Sequence, residues 1–143
     1  MYMIENKRAF FDYEILEQYE CGLKLFGWEV KAIANKACSI AGSHCVAMDG
    51  QIMLVGANIG SADNDMQRTR ALLLHKKEIS RLMGKIKEKG LTLIPLKVYT
   101  VRGKFKLTIG VARGKKEYDK RETEKKRDIE NENRRIIKSQ KLG

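Results

Sequence analysis

Residues 91–112 read LTLIPLKVYTVRGKFKLTIGVA, and this stretch decides the fold. Two mainly apolar runs, Leu91–Val101 and Lys104–Ala112, flank an Arg-Gly pair, which predicts two antiparallel strands joined by a tight turn. Alternation in the second run predicts one face toward a core and one toward solvent. The core set is Leu107, Ile109 and Val111, and the solvent set is Lys104, Lys106 and Thr108. Pro95 cannot donate to a strand ladder, so its strand should be bulged there or lie at an edge.

Just upstream of this hairpin, the sequence predicts a helix over Lys76–Lys89. Its apolar residues recur at i, i+3, i+4 and i+7 and so share one face. They are Ile79, Leu82, Met83 and Ile86. Gly90 stands where a left-handed residue would end the helix.

Further upstream, strands are predicted on both sides of a polar segment. Val46–Val55 contains Asp49-Gly50 between two apolar arms, the signal of a hairpin. Asp12–Trp28 alternates imperfectly and reads as two strands, the second continuing through Val30 and Ile33. Residues 60–70 are polar and read as a flexible loop. Strands around one clear helix predict a mainly β fold, a small antiparallel barrel of the oligonucleotide-binding (OB) type. A half-open sheet packed on one helix is the alternative.

The C-terminal segment has a different composition. From Arg113 to Gly143 there are twelve Lys or Arg against seven Asp or Glu, with few apolar residues. Such a segment cannot offset its own ordering entropy and should be mobile alone. Glu117–Arg121, Glu122–Lys126 and Glu130–Arg134 are nevertheless acid-before-base pairs at the helical spacing i,i+4. We therefore expect a barrel domain in residues 1–112 and a basic tail in residues 113–143 that is disordered when free and becomes helical on a partner.

Charge and composition narrow the partner. The net charge of +11 favours nucleic acid, with an anionic membrane surface as the weaker option. No apolar run is long enough to span a membrane and the start lacks the apolar core of a signal peptide, so we expect a cytoplasmic protein without a membrane partner. Three cysteines without a CxxC pair indicate reduced thiols that are buried or half-buried, and neither a disulfide framework nor a zinc site.

Catalytic residue patterns are weak. Only His44 and His75 could serve a nucleophilic relay, and neither lies in a catalytic signature. Asp63 and Asp65, together with Glu29, could in principle bind Mg²⁺ for a nuclease, but carboxylates in a polar loop are more often solvated. We expect no catalytic residues, no metal, no cofactor and no small-molecule substrate.

Aromatic and basic residues are interleaved in three places. Phe10 and Phe11 follow Arg8, Trp28 precedes Lys31, and Tyr118 lies among lysines. Rings stack on unpaired bases and lysines neutralise phosphates, so this pattern favours RNA. For Phe10 and Trp28, packing in the core is the alternative.

Six blocks in order resemble the SmpB family of SsrA-binding proteins, the partners of transfer-messenger RNA. They are Asn6–Ala9, Asp12–Ile15, Gly27–Lys31, Gly56–Ile59, Arg68–Arg70 with Leu72–His75, and Gly114–Arg121. The resemblance implies an OB-like barrel with flanking helices. It also implies binding of the tRNA-like domain of transfer-messenger RNA and its delivery to stalled ribosomes for trans-translation, so that incomplete proteins are tagged for degradation. The tail would probe the empty message channel at the decoding centre of the small subunit.

Site residues follow from the same resemblance by matching position. The RNA-binding surface would include Asn6, Lys7, Arg8, Glu29, Lys31, Leu74, His75, Lys115 and Lys116. Glu29 would accept hydrogen bonds from RNA or hold a neighbouring cation such as Lys31. The contacts at the decoding centre would be Tyr118, Asp119, Lys120 and Arg121, and Asp119 would cap the helix that follows.

Some positions depart from the family pattern. Ala34 and Ala71 stand where cations are usual, which removes two expected RNA contacts. The other departures are Phe11, Lys36, His44 and Met66.

Three functions compete: a non-enzymatic RNA adaptor, a metal-dependent nuclease, and a general RNA chaperone that binds any single strand. The six blocks favour the adaptor.

Overall fold

The computed structural model of the chain describes residues 3–61, 64–88 and 90–115. The elements are β1 Met3–Glu5, α1 Lys7–Asp12, β2 Tyr13–Leu23, α2 Gly27–Ala34, β3 Cys38–Ser39, β4 His44–Met48, β5 Gln51–Val55, β6 Asn58–Ile59, β7 Arg70–Leu73, α3 Lys76–Ile86, β8 Leu91–Val101 and β9 Lys104–Gly114. The residues from Lys116 onward, which include most of the predicted tail, lie outside this part of the chain.

Six strands close into an antiparallel ring. Around the ring the order is β8, β4, β5, β7, β2 and β9, and β9 pairs back onto β8. Strand β1 adds to β8, while β3 and β6 form a separate two-stranded sheet. The predicted small β-barrel is confirmed. The half-open sheet is wrong, because the pairing of β8 with β9 closes the ring.

Both predicted hairpins are present, and their turns have the same backbone geometry. The β4–β5 turn places Asp49 at φ 52° and Gly50 at φ 76°, and the β8–β9 turn places Arg102 at φ 51° and Gly103 at φ 77°. Two consecutive residues with positive φ form the turn whose twist matches paired strands. Strand β9 continues through Gly114, two residues past the boundary expected at residue 112.

Pro95 lies in a bulge of β8. The register between β8 and β9 shifts between Pro95 and Lys97, as predicted for a residue without a backbone N–H. The alternative edge position is wrong, because β8 pairs with β9 on one side and with β1 and β4 on the other. A second shift, between Ile15 and Glu17, bends β2.

The core fills the barrel and extends under α3. Leu107, Ile109 and Val111 are buried, as the alternation predicted, and so is Leu82 of α3. Thr108 was expected to face solvent, but it is buried because the Tyr99 side chain covers it, with the two hydroxyl oxygens 3.5 Å apart. Helix α3 ends at Ile86, earlier than predicted, and Gly90 has a φ of +84° in the turn toward β8.

Residues Asp12–Trp28 do not form two strands. Within this range only Tyr13–Leu23 is strand, the single strand β2, while Asp12 ends α1 and Trp28 already belongs to helix α2. The helix begins where the Glu29 carboxylate accepts a hydrogen bond from the backbone N–H of Phe26 (2.8 Å), which satisfies a free donor at the helix start. The Trp28 ring packs against Gly60, where a Cβ would lie 2.7 Å from the ring. The Trp28 ring is half-buried, and it lies over the backbone at Gly60.

Cys21 and Cys45 are buried and Cys38 is half-buried, which is the burial predicted for the three thiols. Burial raises the pKa of Cys21 to about 12 and that of Cys38 to about 11. No helix in the described ranges is long and apolar enough to cross a membrane.

Candidate nucleic-acid interface

The predicted site residues that the structure describes fall into two groups at opposite ends of β2. The first residue of β2, Tyr13, pairs with Gly114, and the last, Leu23, pairs with Leu72. The eleven residues of β2 make ten steps of about 3.3 Å, and with the bulge in this strand its ends lie roughly 30 Å apart. We call the end with α1 and Lys115 the junction end. The end with Glu29, Lys31, Leu74 and His75 is the cluster end.

Asn6 of the junction end is a structural residue. It is buried, and its side-chain oxygen accepts a hydrogen bond from the backbone N–H of Ala9, which caps α1 (3.2 Å). Its Nδ2 donates to the carbonyl of Pro95 at the β8 bulge (2.9 Å). The Asn6 side chain therefore fixes α1 on the barrel and is not presented to RNA.

Cations of the junction end surround α1. Lys7 and Arg8 are exposed, and the Arg8 Nε donates to the Asp12 carboxylate at 2.9 Å. Lys115 folds back onto the same helix: its backbone N–H donates to the Asp12 carbonyl (2.9 Å) and its Nζ to the Phe10 carbonyl (3.2 Å). Lys7, Arg8 and Lys115 therefore form one positive surface where the chain leaves the barrel.

Glu29 is the centre of the cluster end. Its side chain has 0% exposure, and each oxygen accepts from a different arginine. Oε1 accepts from Arg68 Nη2 and from the Phe26 backbone, and Oε2 accepts from Arg70 Nε. Both oxygens are thus occupied by protein donors. A direct contact from this carboxylate to RNA is excluded in this conformation, and the cations that it holds are Arg68 and Arg70 in place of Lys31.

The arginines keep Glu29 ionised. Burial by itself would raise the pKa of Glu29. The hydrogen bonds from Arg68, the Phe26 backbone and Arg70, with the charge of Arg70, outweigh burial and hold that pKa below its usual range. Glu29 is therefore a fixed anion at neutral pH.

Arg70 and Arg68 differ in how much of the guanidinium group is exposed to solvent. Arg70 is fully buried and satisfied, because Nη1 donates to the Ala57 carbonyl and Nη2 to the Met66 carbonyl, both at 2.9 Å. The Arg68 side chain is 27% exposed and lies 4.1 Å from the centroid of the Phe26 ring. Two guanidinium groups face one carboxylate, so the cluster has one positive charge in excess, and Arg68 is the member that reaches the surface.

The remaining predicted residues lie around this cluster. Lys31 is exposed on α2, and His75 is exposed just before α3, where its backbone N–H donates to Glu78 (3.2 Å). Leu74 is half-buried and lines, with His75, Leu73 and Lys24, a cleft of about 360 Å³. Leu74 and His75 therefore share one cleft, whereas Lys31, two residues after Glu29, lies on a different face of α2.

Sequence reasoning missed the partners of Glu29. Arg68 and Arg70 were noted only inside a resemblance block, and the contact from Arg70 to Glu29 spans 41 residues. The one local signal was Glu29 itself. It stands three residues after the N-cap position Phe26, where a glutamate can accept a hydrogen bond from the N-cap backbone N–H.

Five of the predicted residues lie outside the described residues, namely Lys116, Tyr118, Asp119, Lys120 and Arg121. Asp63 also lies outside them. Among the described residues, no three His, Cys, Asp or Glu side chains are placed to hold a metal ion. The nuclease alternative needs Glu29 as a ligand, and that carboxylate is taken by the two arginines.

A family model described as SmpB protein matches residues 3–139. The chain belongs to the SmpB family. It is 46% identical over 145 residues to the SsrA-binding protein of Ralstonia nicotianae, covering 96% of this chain and 98% of that one. It is 47% identical over 146 residues to the SsrA-binding protein of Burkholderia thailandensis, covering 97% of this chain and 99% of the relative.

A solved SmpB structure has the same fold. It is described as "tmRNA-SmpB: a journey to the center of the bacterial ribosome" and is 44% identical to this chain. The TM-score is 0.66, over 82% of this chain and 87% of that one. The resemblance noted in the sequence is therefore confirmed, and so is the mainly β fold that it implied.

Proposed function

We propose that the chain binds the tRNA-like domain of transfer-messenger RNA and delivers it to stalled ribosomes for trans-translation. Membership of the SmpB family supports this, as does the name SsrA-binding protein borne by its relatives. The partners are transfer-messenger RNA and the small ribosomal subunit, which places the protein in the cytoplasm. The protein acts as an adaptor and not as an enzyme.

The observation that carries the proposal is the separation of the two positive surfaces by the length of β2. An adaptor must hold one partner while it presents another surface to a second. With about 30 Å between its ends, the barrel can contact an RNA at one end while the chain leaves toward the ribosome at the other. The ring of strands between them keeps the spacing fixed.

At the cluster end, we assign the direct RNA contacts to Lys31, His75 and Arg68. Glu29 acts through Arg68, because its carboxylate holds that guanidinium at the surface. Leu74 lines the adjoining cleft. At the junction end, Lys7, Arg8 and Lys115 supply phosphate contacts, and Asn6 holds α1 beneath them. Lys116 extends this set.

The segment after Lys115 carries the second half of the proposed function. We assign Tyr118, Asp119, Lys120 and Arg121 to the decoding centre by their match to the family block. The basic tail, expected in residues 113–143, gains its helix beyond the end of β9 on the ribosome, where the RNA of the message channel neutralises its charge. This assignment rests on the sequence alone.

Competition binding tests the RNA half of the proposal. Labelled tRNA-like domain is bound to the full chain at physiological salt and challenged with unlabelled domain, canonical tRNA and an unstructured RNA of equal length. We expect the labelled RNA to be displaced efficiently only by the unlabelled domain. Equal displacement by all three would show binding through charge alone, overturn the adaptor, and leave the general RNA chaperone.

A further inference from the structure

The last residue that the structure describes, Lys115, is tied to α1 by two hydrogen bonds. Its backbone N–H donates to the Asp12 carbonyl (2.9 Å) and its Nζ to the Phe10 carbonyl (3.2 Å). Both carbonyls belong to the last turn of α1, where the C=O groups of a helix find no partner within the helix. Lys115 therefore supplies two of the donors that the end of α1 requires.

Asn6 ties the other end of α1 to the barrel. Its backbone N–H donates to the Leu96 carbonyl (2.7 Å) and its Nδ2 to the Pro95 carbonyl (2.9 Å). Between the two ends, Ala9 of α1 is buried in a small apolar cluster with residues of the barrel. Helix α1 is therefore held on the barrel along its length, with the β8 bulge at one end and Lys115 at the other.

Side-chain packing does little to hold the end of β9. Arg113 and Gly114 are both exposed, and no atom from another part of the chain lies within 4 Å of where a Cβ of Gly114 would stand. The pairing of Gly114 with Tyr13 is the last of the β2–β9 ladder. Beyond that pair, the hydrogen bonds of Lys115 to α1 hold the chain on the barrel.

We propose that Asn6, α1 and Lys115 form a bracket that fixes the point on the barrel from which the C-terminal tail starts, with Lys115 as the positioning residue. The inference rests on the proposed function, in which the tail enters the message channel while the barrel holds transfer-messenger RNA. A fixed starting point lowers the ordering cost of placing the tail, because fewer positions have to be given up on binding. Lys115 acts here through its bonds to α1 and not through a contact with RNA.

Substitutions that separate the side-chain bond of Lys115 from its charge test the bracket. Lys115→Met removes both the donor and the charge, and Lys115→Arg keeps both. Lys7→Met is the matched control, because it removes one exposed positive charge from the same surface and leaves both bonds of Lys115 in place. In a reconstituted assay of tagging on stalled ribosomes, we expect Lys115→Met to tag about 3- to 10-fold less than Lys7→Met, the effect of one hydrogen bond. Lys115→Arg should tag within about twofold of wild type.

Equal tagging by Lys115→Met and Lys7→Met would show that only the charge of Lys115 matters and would overturn the bracket.

Amide hydrogen exchange at residue 115 supplies a readout that loss of charge alone would not move. NMR follows this N–H in the free full chain, with rates corrected for the intrinsic exchange of each sequence. We expect exchange to be about 3- to 10-fold faster in Lys115→Met and unchanged in Lys7→Met. Asn6→Ala releases the far end of α1 and should also speed exchange at residue 115. Unchanged exchange in Lys115→Met would contradict the bracket, and that variant carries the test if melting shows that Asn6→Ala does not fold.

An insertion tests the same connection without changing Lys115. Two glycines placed between Lys115 and Lys116 leave the bonds to α1 intact but release the tail from them, so tagging should fall about 3- to 10-fold. Because the insertion and Lys115→Met break one connection, adding Lys115→Met to the insertion should lower tagging only by the further factor that Lys7→Met shows. Fully independent losses from the two changes would refute the positioning role.

The failure of the bracket and the failure of the proposed function can be told apart. If the chain without the residues after Lys115 does not tag, and Lys115→Met tags as well as Lys7→Met does, the bracket is wrong and the adaptor stands. If that truncated chain tags normally, or if the wild type shows no preference among RNAs, the proposed function fails in an assay that involves no variant of Lys115.

Discussion

Two guanidinium–carboxylate pairs of this protein lie in different environments, Arg8 with Asp12 and Arg70 with Glu29. At the junction end the pair is one turn apart on α1, and the arginine is 71% exposed. At the cluster end both side chains have 0% exposure, and the two residues are 41 positions apart in the sequence. An exposed pair contributes about 0 to 1 kcal/mol, whereas breaking a buried pair costs about 3 to 5 kcal/mol. The difference shows that packing fixes the positions of the charged side chains at the cluster end, whereas those at the junction end can change conformation.

Removing the residues after Lys115 should have the largest effect on function. It should abolish one activity of the protein and leave the other intact. The truncated chain keeps β9 and both Lys115 contacts to α1, so we expect the barrel to melt as the full chain does and still to bind the tRNA-like domain. Tagging on stalled ribosomes should be abolished. A reconstituted translation assay measures tagging, and normal tagging by the truncated chain would refute the role given to the tail.

Glu29→Gln should have the largest effect on stability. It leaves two arginines, one of them fully buried, without their counter-charge, so we expect unfolding to be easier by about 3 to 5 kcal/mol. Denaturant unfolding followed by circular dichroism measures the change. Asp12→Asn is the matched control at the junction end, with an expected loss below about 1 kcal/mol. Equal losses from the two variants would break the comparison.

Arg70→Lys should be destabilising although the charge is kept. Arg70 donates to three groups, the Glu29 carboxylate and the carbonyls of Ala57 and Met66, in directions fixed by the planar guanidinium. A lysine cannot reach all three. Leaving one buried carbonyl unpaired costs about 1 to 3 kcal/mol. Arg8→Lys at the exposed pair is the control and should melt within a degree or two of wild type.

Acid should weaken the cluster end selectively. The folded pKa of Glu29 lies below its unfolded value, so the folded state binds fewer protons. The resulting stabilisation is complete above about pH 4.3, the ordinary pKa of glutamate, and is lost as the pH falls through the lower folded pKa. The difference in unfolding free energy between wild type and Glu29→Gln should therefore shrink on acidification below about pH 4.3. A constant difference would contradict the pairing.

Arg8→Ala should change the free energy of unfolding least of these variants. Its effect should instead be on the salt dependence of RNA binding. The lost ion pair is a surface i,i+4 pair, so stability should fall by less than about 0.5 kcal/mol. If Arg8 contacts a phosphate, the slope of log affinity against log salt should fall by about 0.7 to 0.9. An unchanged slope would remove Arg8 from the RNA surface.

The barrel could be predicted because its signals are local. Asp49-Gly50 and Arg102-Gly103 specify tight turns, and the apolar spacing of Ile79, Leu82, Met83 and Ile86 specifies the face of α3. Helix α2 was mistaken for strand because Val30 and Ile33 are β-branched and Gly27 opens it. Glu29 ties it to Arg70 at the start of β7 and to Arg68 just before that strand, both distant in sequence.

Only part of the candidate site could be predicted from the sequence, because contacts between residues that are distant in sequence leave no local signal. Lys7, Arg8, Lys31 and His75 are exposed, as charge patterning suggests. Asn6 and Glu29 match the family pattern equally well, yet both are buried, and burial depends on what packs over them. An arginine at the start of a strand, such as Arg70, carries no local sign that it will be fully enclosed.

Strand β9 determines how the barrel bears mechanical load. It lies between β2 and β8, paired with both over nearly its whole length, and it leads directly into the segment beyond Lys115. A pull on that segment along the strand axis loads both ladders in shear, so that many hydrogen bonds resist together and none opens first. A sideways pull instead loads the contacts of Lys115 to α1, from its N–H to the Asp12 carbonyl and from its Nζ to the Phe10 carbonyl, before it reaches the ladders. The barrel is thereby strong along the axis of β9 and more compliant across it.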